Sequence, residues 1–218
     1  MIRKYLIIAF ILNCFFVFSQ KNIVNVDSII KVDKHTVYKN ISYGPDKKNT
    51  LDIWLANSKS KSPFVVYIHG GGFGAGSKNS AYTKNNFKRV KKLLENNISF
   101  ATIDYRFKNN DDFLLSSLND AKRALQYLKF YNEKFNLLKD KVALMGASAG
   151  ATSSLWIGLQ DDLSDKNSDD PVLRESTNVS CIVGMAAAHS LNLMRWKDMA
   201  NVDAVSYTHL TLPTNIGV

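Results

Sequence analysis

Short apolar runs alternate with amphipathic stretches through the middle of the chain. The segment 64–68 is almost continuously apolar, which is typical of a strand buried on both faces. Strands are predicted at 37–43, 51–55, 64–68, 98–105, 141–145 and 179–187. Helical spacing predicts two helices, built on Phe87, Val90 and Leu94 and on Leu114, Leu118, Ala121, Leu125 and Leu128. Strands separated by helices indicate an α/β protein with a mostly parallel, doubly wound sheet.

The first nineteen residues have the pattern of a secretion signal. Arg3 and Lys4 form a positively charged start, and residues 5–18 are almost entirely apolar. This run is shorter than the roughly 20 residues that a membrane-spanning helix needs. We therefore expect export, cleavage after Ser19 and no stable membrane span in the mature protein. An uncleaved anchor and lipid attachment at Cys14 are the alternatives.

The composition describes a folded protein. Hydrophobic residues make up 45% of the 218 residues and aromatic residues 11%, which excludes an intrinsically disordered chain. Two cysteines are too few for a disulfide scaffold. Loss of Arg3 and Lys4 with the signal lowers the net charge from +9 to +7. Because the remaining lysines are scattered, we expect no nucleic-acid partner.

The last fourteen residues have a pattern of a different origin. Residues 205–214 match, residue for residue, the translation of a transposase sequencing adapter. We therefore expect the folded domain to occupy residues 20–204, and residues 205–218 to be non-native.

A serine motif follows the predicted strand 141–145. Residues 146–150, Gly-Ala-Ser-Ala-Gly, have the G-x-S-x-G pattern between a strand and a helix-forming stretch. A sharp turn would expose the Ser148 hydroxyl, and Gly146 and Gly150 would let strand and helix approach closely. The helix dipole would favour negative charge that develops there. The motif predicts a nucleophilic serine, with a simple strand-to-helix turn as the alternative.

A second glycine-rich segment, at residues 69–76, follows the strand 64–68. Its spacing fits neither the dinucleotide-binding motif nor the phosphate-binding loop, so nucleotide binding is disfavoured. Glycines let backbone amides turn toward a substrate and stabilise an oxyanion. The expected oxyanion donors are the amides of Gly71, Gly72 and Ala149, with structural support from His69 and Gly70.

Four stretches of the chain resemble α/β-hydrolase carboxylesterases of the hormone-sensitive-lipase and bifunctional feruloyl/acetyl-xylan-esterase type. They are residues 51–54, 69–73, 104–107 and 146–150. The resemblance covers most of residues 37–196. It implies the α/β-hydrolase fold and ester hydrolysis by a serine nucleophile, with no metal or organic cofactor.

One of these stretches departs from the family and also suggests an ion pair. The family usually has Asn where this chain has Asp104. This position is expected to support the fold rather than the chemistry. Arg106 and Asp120 are expected to form an ion pair in the scaffold.

In that family an acid and then a histidine follow the nucleophile along the chain. The segment from Ser148 to Ala204 is too short for both, so we expect them, and the last strands of the sheet, to be absent. His189 comes one strand too early, His209 lies in the adapter-like tail, and His35 is expected at the surface. The polypeptide by itself is therefore expected to be inactive or nearly so.

Taken together, the sequence predicts an exported serine hydrolase, an esterase or lipase that works through an acyl-enzyme intermediate. The expected substrates are small-molecule or polysaccharide-linked esters, such as acetyl or feruloyl esters. A serine peptidase of the same fold and a noncatalytic binding protein that retains the fold are the alternatives.

Overall fold

A computed structural model describes residues 28–32, 34–109, 111–112 and 114–187. The predicted signal at 1–19 and the predicted adapter tail at 205–218 lie outside these residues. Within them, seven strands form one sheet in the order β1-β2-β3-β5-β4-β6-β7. The strands are β1 (Ser28–Val32), β2 (His35–Ser42), β3 (Thr50–Leu55), β4 (Ser62–Ile68), β5 (Ser99–Ile103), β6 (Leu137–Ala147) and β7 (Cys181–Met185).

Three α-helices and one short 3-10 helix connect these strands. The 3-10 helix spans Lys78–Tyr82, and the α-helices are α1 (Lys84–Glu95), α2 (Leu115–Phe130) and α3 (Ala149–Gly158). None of the helices in the described ranges has the length and apolar character that a membrane crossing requires. The hydrophobic pattern predicted neither strand β1 nor the 3-10 helix, and α3 was expected only from the helix-forming stretch after the serine motif.

The sheet has an antiparallel part and a parallel part. Strands β1, β2, β3 and β5 pair antiparallel in that order, whereas β5, β4, β6 and β7 pair parallel. A short turn joins β2 to β3, and so short a connection permits only antiparallel pairing. Parallel neighbours need long crossovers, which here contain the helices. The predicted α/β-hydrolase fold is confirmed. Its sheet is mixed, and the parallel half consists of β5, β4, β6 and β7 in that order across the sheet.

Strand β4 shows why helices cover both faces of the sheet. Phe64, Val66 and Ile68 pack into the core formed with α2 and α3, whereas Val65 and Tyr67 pack into the core formed with α1. Successive side chains of a strand point to opposite faces, so an unbroken apolar strand needs cover on both sides. The predicted doubly wound arrangement follows directly from this run.

His35 corrects one sequence prediction. It was expected at the surface ahead of the sheet, but it is the first residue of β2 and is only 8% exposed. Its Nδ1 lies 3.2 Å from the carbonyl oxygen of Leu55 on β3. Strand β2 begins earlier than the apolar pattern suggested, and its first residue is therefore inside the sheet.

Candidate active site

Three of the sequence motifs emerge at one edge of the sheet. Ile68 at the end of β4 pairs with Ile103 at the end of β5, and also with Gly146 near the end of β6. The carboxyl ends of these parallel strands therefore lie side by side. The glycine loop (residues 70–77), the segment 104–107 and the serine turn all leave the sheet at this edge, where ligands bind in open α/β sheets.

The serine turn holds its central residue in an unusual backbone conformation. Ser148 has φ 51° and ψ −117°, a combination that non-glycine residues rarely adopt. Its amide donates to the carbonyl oxygen of Met185 on β7 at 2.8 Å, and its carbonyl accepts from the amide of Thr152 at 2.9 Å. The serine turn joins β6 to α3, and these two contacts hold it against β7 and against the first turn of α3. The Ser148 residue is exposed, as an attacking hydroxyl requires.

Close backbone contacts explain the glycines on either side of Ser148. A β-carbon at Gly146 would lie 2.2 Å from the carbonyl carbon of Gly150, and one at Gly150 would lie 1.9 Å from the carbonyl oxygen of Ile68. One at Gly70 would lie 3.3 Å from the β-carbon of Ser148. Since real β-carbons do not approach backbone this closely, only glycine fits at 146 and 150. The same contacts place the glycine loop directly beside the serine.

The glycine loop turns back on itself next to the serine. Gly71 and Gly72 have φ 121° and 60°, and the Gly71 carbonyl accepts from the amides of Gly74 and Ala75, each at 3.0 Å. The amides of Gly71 and Gly72 donate to no acceptor within the described residues. Ala149 begins α3, and the first amides of a helix have no partner inside it. None of these three amides donates to an acceptor among the described residues.

His69 lies beneath this loop rather than in the open site. It is 1% exposed, its Nδ1 is 2.7 Å from the carbonyl oxygen of Gly70, and its ring stacks on Tyr105 at 4.4 Å. The Tyr105 hydroxyl donates to the His69 carbonyl at 2.9 Å. Burial lowers the pKa of His69. The imidazole is therefore packed and neutral at physiological pH, which suits the support of a loop.

Arg106 and Asp120 form the ion pair that the resemblance suggested. The guanidinium Nε and Nη2 donate to both carboxylate oxygens of Asp120, at 2.9 and 2.7 Å, and the Arg106 amide donates to the same carboxylate at 2.9 Å. This bidentate contact joins the segment after β5 to α2. That prediction is confirmed.

Sequence reasoning missed a buried polar cluster at the far end of the glycine loop. The Lys78 ammonium lies 2.9 Å from Asp52 Oδ1 and donates to Asn40 Oδ1 at 2.6 Å, while the Tyr82 hydroxyl donates to Asp52 Oδ2 at 2.6 Å. The signal that could have found it is an aspartate in the middle of the apolar strand 51–55. Such a charge requires a partner, and only the folded chain shows which one.

No described residue near Ser148 is placed to act as a general base. The Ser148 hydroxyl has no hydrogen-bond partner in the described part of the chain, and the imidazoles of His35 and His69 are engaged elsewhere. His189 and His209 lie outside the described residues. Within the part of the chain that the structure describes, no group of three His, Cys, Asp or Glu side chains is arranged to hold a metal ion.

A mixed sheet of this order, with a strained serine turn at its carboxyl edge, defines an α/β-hydrolase. The chain belongs to the BD-FAE family of α/β-hydrolase esterases, whose sequence profile matches residues 51–214. The match continues past Ala204, and the expected domain end at that residue stays a prediction.

Two curated relatives and one solved structure extend this comparison. The chain is 26% identical to an Arabidopsis thaliana protein named probable isoprenylcysteine alpha-carbonyl methylesterase ICMEL1, over 71% of this chain and 32% of that protein. It is 34% identical to Esterase P of Drosophila melanogaster, over 55% of this chain and 21% of that protein. The chain thus spans about a third or less of these relatives.

The solved structure is the acetyl ester-xyloside bifunctional hydrolase from Caldicellulosiruptor lactoaceticus. It superposes with a TM-score of 0.55 at 21% identity, over 78% of this chain and 61% of that one. At this identity the likeness shows a shared fold.

Proposed function

We propose that the protein is a serine esterase that cleaves carboxylic esters through an acyl-enzyme intermediate. The observation that carries the proposal is the exposed, strained Ser148 beside the uncommitted amides of Gly71 and Gly72. A nucleophile with oxyanion donors on one side is the arrangement that acyl transfer needs. Membership of an esterase family supports the same reaction.

In the proposed mechanism, the Ser148 oxygen attacks the ester carbonyl and loses its proton to a general base. The carbonyl oxygen becomes an oxyanion, which the amides of Gly71, Gly72 and Ala149 stabilise by hydrogen bonds. The tetrahedral intermediate collapses, the alcohol leaves with a proton, and the acyl group stays on Ser148 as an ester. Water then repeats the two steps and releases the carboxylic acid. No step requires a cofactor.

We also propose a source for the base. Neither described histidine reaches Ser148, and the chain spans only part of its relatives. The triad acid and histidine are therefore proposed to lie outside the described residues. We also propose that native sequence replaces the adapter-like residues 205–218 in the product of the uninterrupted gene, which should label and hydrolyse far faster than the present polypeptide.

The proposed substrates are esters with a short acyl group, either free or attached to a polysaccharide. Two observations support this: a structural relative is named as an acetyl ester-xyloside hydrolase, and the apolar start at residues 5–18 is typical of exported proteins. Export would bring the enzyme to esterified polymers outside the cytoplasm.

A fluorophosphonate probe tests the nucleophile, and p-nitrophenyl acetate tests turnover. We expect the product of the uninterrupted gene to be labelled at Ser148 and to hydrolyse the acetate, and Ser148→Ala to lose both. Labelling with cleavage of peptides rather than esters would favour the peptidase alternative. A folded protein with no labelling would favour the binding protein and overturn the proposal.

A further inference from the structure

The glycine loop ends at a buried lysine whose polar groups are all bound. Lys78 directly follows the loop and is 5% exposed, which is rare for lysine. Its amide donates to Asp104 Oδ1 at 2.7 Å, and its carbonyl accepts from the Thr102 hydroxyl at 3.1 Å. Its ammonium contacts Asp52 at 2.9 Å. One residue therefore joins the end of the loop to strand β3 and to the carboxyl end of β5.

Asp52 is the centre of this cluster and has no exposed surface. Its Oδ1 accepts from the amide of Asn40 at 2.8 Å and faces the Lys78 ammonium, while its Oδ2 accepts from the Tyr82 hydroxyl at 2.6 Å. Burial, and then the Asp52 carboxylate, raise the pKa of Tyr82, so this hydroxyl stays protonated and donates. The carboxylate is thus compensated by one charge and two further donors.

Stability alone does not explain this arrangement. A buried ion pair is often no better for stability than well-packed apolar residues of the same size, because both charges lose their hydration. Its contacts are directional, however, and they fix the position of the backbone at residue 78. At the other end of the loop, the buried ring of His69 and the Tyr105 hydroxyl hold residues 69 and 70. The loop is therefore clamped at both ends.

We propose that Asp52 and Lys78 are positioning residues, which hold the glycine loop in the shape that presents the Gly71 and Gly72 amides to the oxyanion. The proposal rests on the proposed esterase function for its catalytic part. Both side chains are buried, so neither is positioned to contact a substrate. Asp52 and Lys78 act on the reaction by fixing the position of the loop backbone. A displacement of about 1 Å there can reduce the rate about a hundredfold.

Four variants separate positioning from simple stability. Asp52→Asn and Lys78→Met each leave one buried charge without its counter-ion, so each is expected to destabilise the fold. The double variant removes both charges and is expected to recover much of that stability. Lys61→Met is the matched control, because Lys61 pairs with Glu133 at the exposed surface. These variants are made in the product of the uninterrupted gene and in the present chain.

The measurements are urea denaturation, kcat and KM for p-nitrophenyl acetate, and hydrogen exchange at the amides of Gly74 and Ala75. These two amides donate to the Gly71 carbonyl and so report the loop conformation. In the double variant we expect kcat to fall about 10- to 100-fold with KM nearly unchanged. We also expect both amides to exchange faster than they do in the wild type, by a larger factor than the amides of β4. Lys61→Met should match the wild type in all three measurements.

A double variant with wild-type kcat and wild-type exchange at Gly74 and Ala75 would overturn the proposal. If the wild-type protein hydrolyses no ester, the proposed function fails instead. The exchange measurement in the present chain then still decides whether Asp52 and Lys78 hold the loop, because it requires no turnover.

Discussion

A β-carbon on Gly150 would lie 1.9 Å from the carbonyl oxygen of Ile68. Gly150 is in the first turn of the helix after Ser148, and Ile68 is the last residue of the strand before the glycine loop. The two halves of the candidate site are thus in direct backbone contact. The position of Ser148 relative to the proposed oxyanion donors therefore depends on the absence of a side chain at residue 150.

Gly150→Ala should therefore damage both stability and the site. The added methyl group forces α3 away from β4, and we expect a loss of about 3 kcal/mol in the free energy of unfolding, measured in urea. Gly74→Ala is the matched control, because a β-carbon there meets the flexible end of Lys108 at 3.7 Å and the Gly72 carbonyl oxygen at 4.0 Å, which are ordinary van der Waals distances. Equal stability of the two variants would show that the contact at Gly150 relaxes without cost.

The strained backbone of Ser148 predicts that replacing this residue by glycine stabilises the protein while it abolishes the proposed function. Ser148→Gly removes the steric cost of φ 51° and should stabilise the protein by about 1 kcal/mol, despite the added flexibility of the unfolded chain. Ser148→Ala keeps the strain and should leave stability nearly unchanged. Both variants should lose fluorophosphonate labelling. Urea denaturation compares the three proteins, and a Ser148→Gly variant less stable than Ser148→Ala would contradict the strain.

The ion pair between Arg106 and Asp120 predicts an asymmetric response to mutation. Arg106→Met leaves the Asp120 carboxylate, which is 2% exposed, without its cation. We therefore expect the free energy of unfolding to fall by about 3 kcal/mol. Asp120→Asn should cost about 1–2 kcal/mol, because the Arg106 side chain is 41% exposed and can turn to water. Thermal or urea unfolding measures both. Lys61→Met, at an exposed pair, should change stability by less than about 0.5 kcal/mol.

The buried imidazole of His69 predicts a dependence of stability on pH. Its pKa is lowered by burial, so the unfolded chain binds the proton more readily than the folded one. The stabilisation from neutral His69 is complete above the unfolded pKa of about 6.5 and is lost as the pH falls through the lower folded pKa. Urea denaturation at pH 7.5 and at pH 5.5 measures this loss. In His69→Gln the free energy of unfolding should depend less steeply on pH. If its pH dependence equals that of the wild type, another group causes the loss of stability.

The apolar pattern predicted most of the sheet because burial on two faces leaves a clear mark on a strand. The run at 64–68 became β4, and the periodic leucines at 114–128 became most of α2. Strand β1 was missed and His35 was placed wrongly, since neither lies in a strong apolar alternation. Edge strands need little burial, so their sequences carry little of this signal.

The sequence by itself determined the nature of the candidate site. Motifs of five to eight neighbouring residues specify a serine turn and a glycine loop, because the geometry of a tight turn is local. The tertiary structure alone decided how these pieces meet. The contact of Gly150 with Ile68, the burial of His69 and the pairing of Asp52 with Lys78 join residues far apart in the chain. Such pairings arise only when the strands align in register, and no local pattern encodes them.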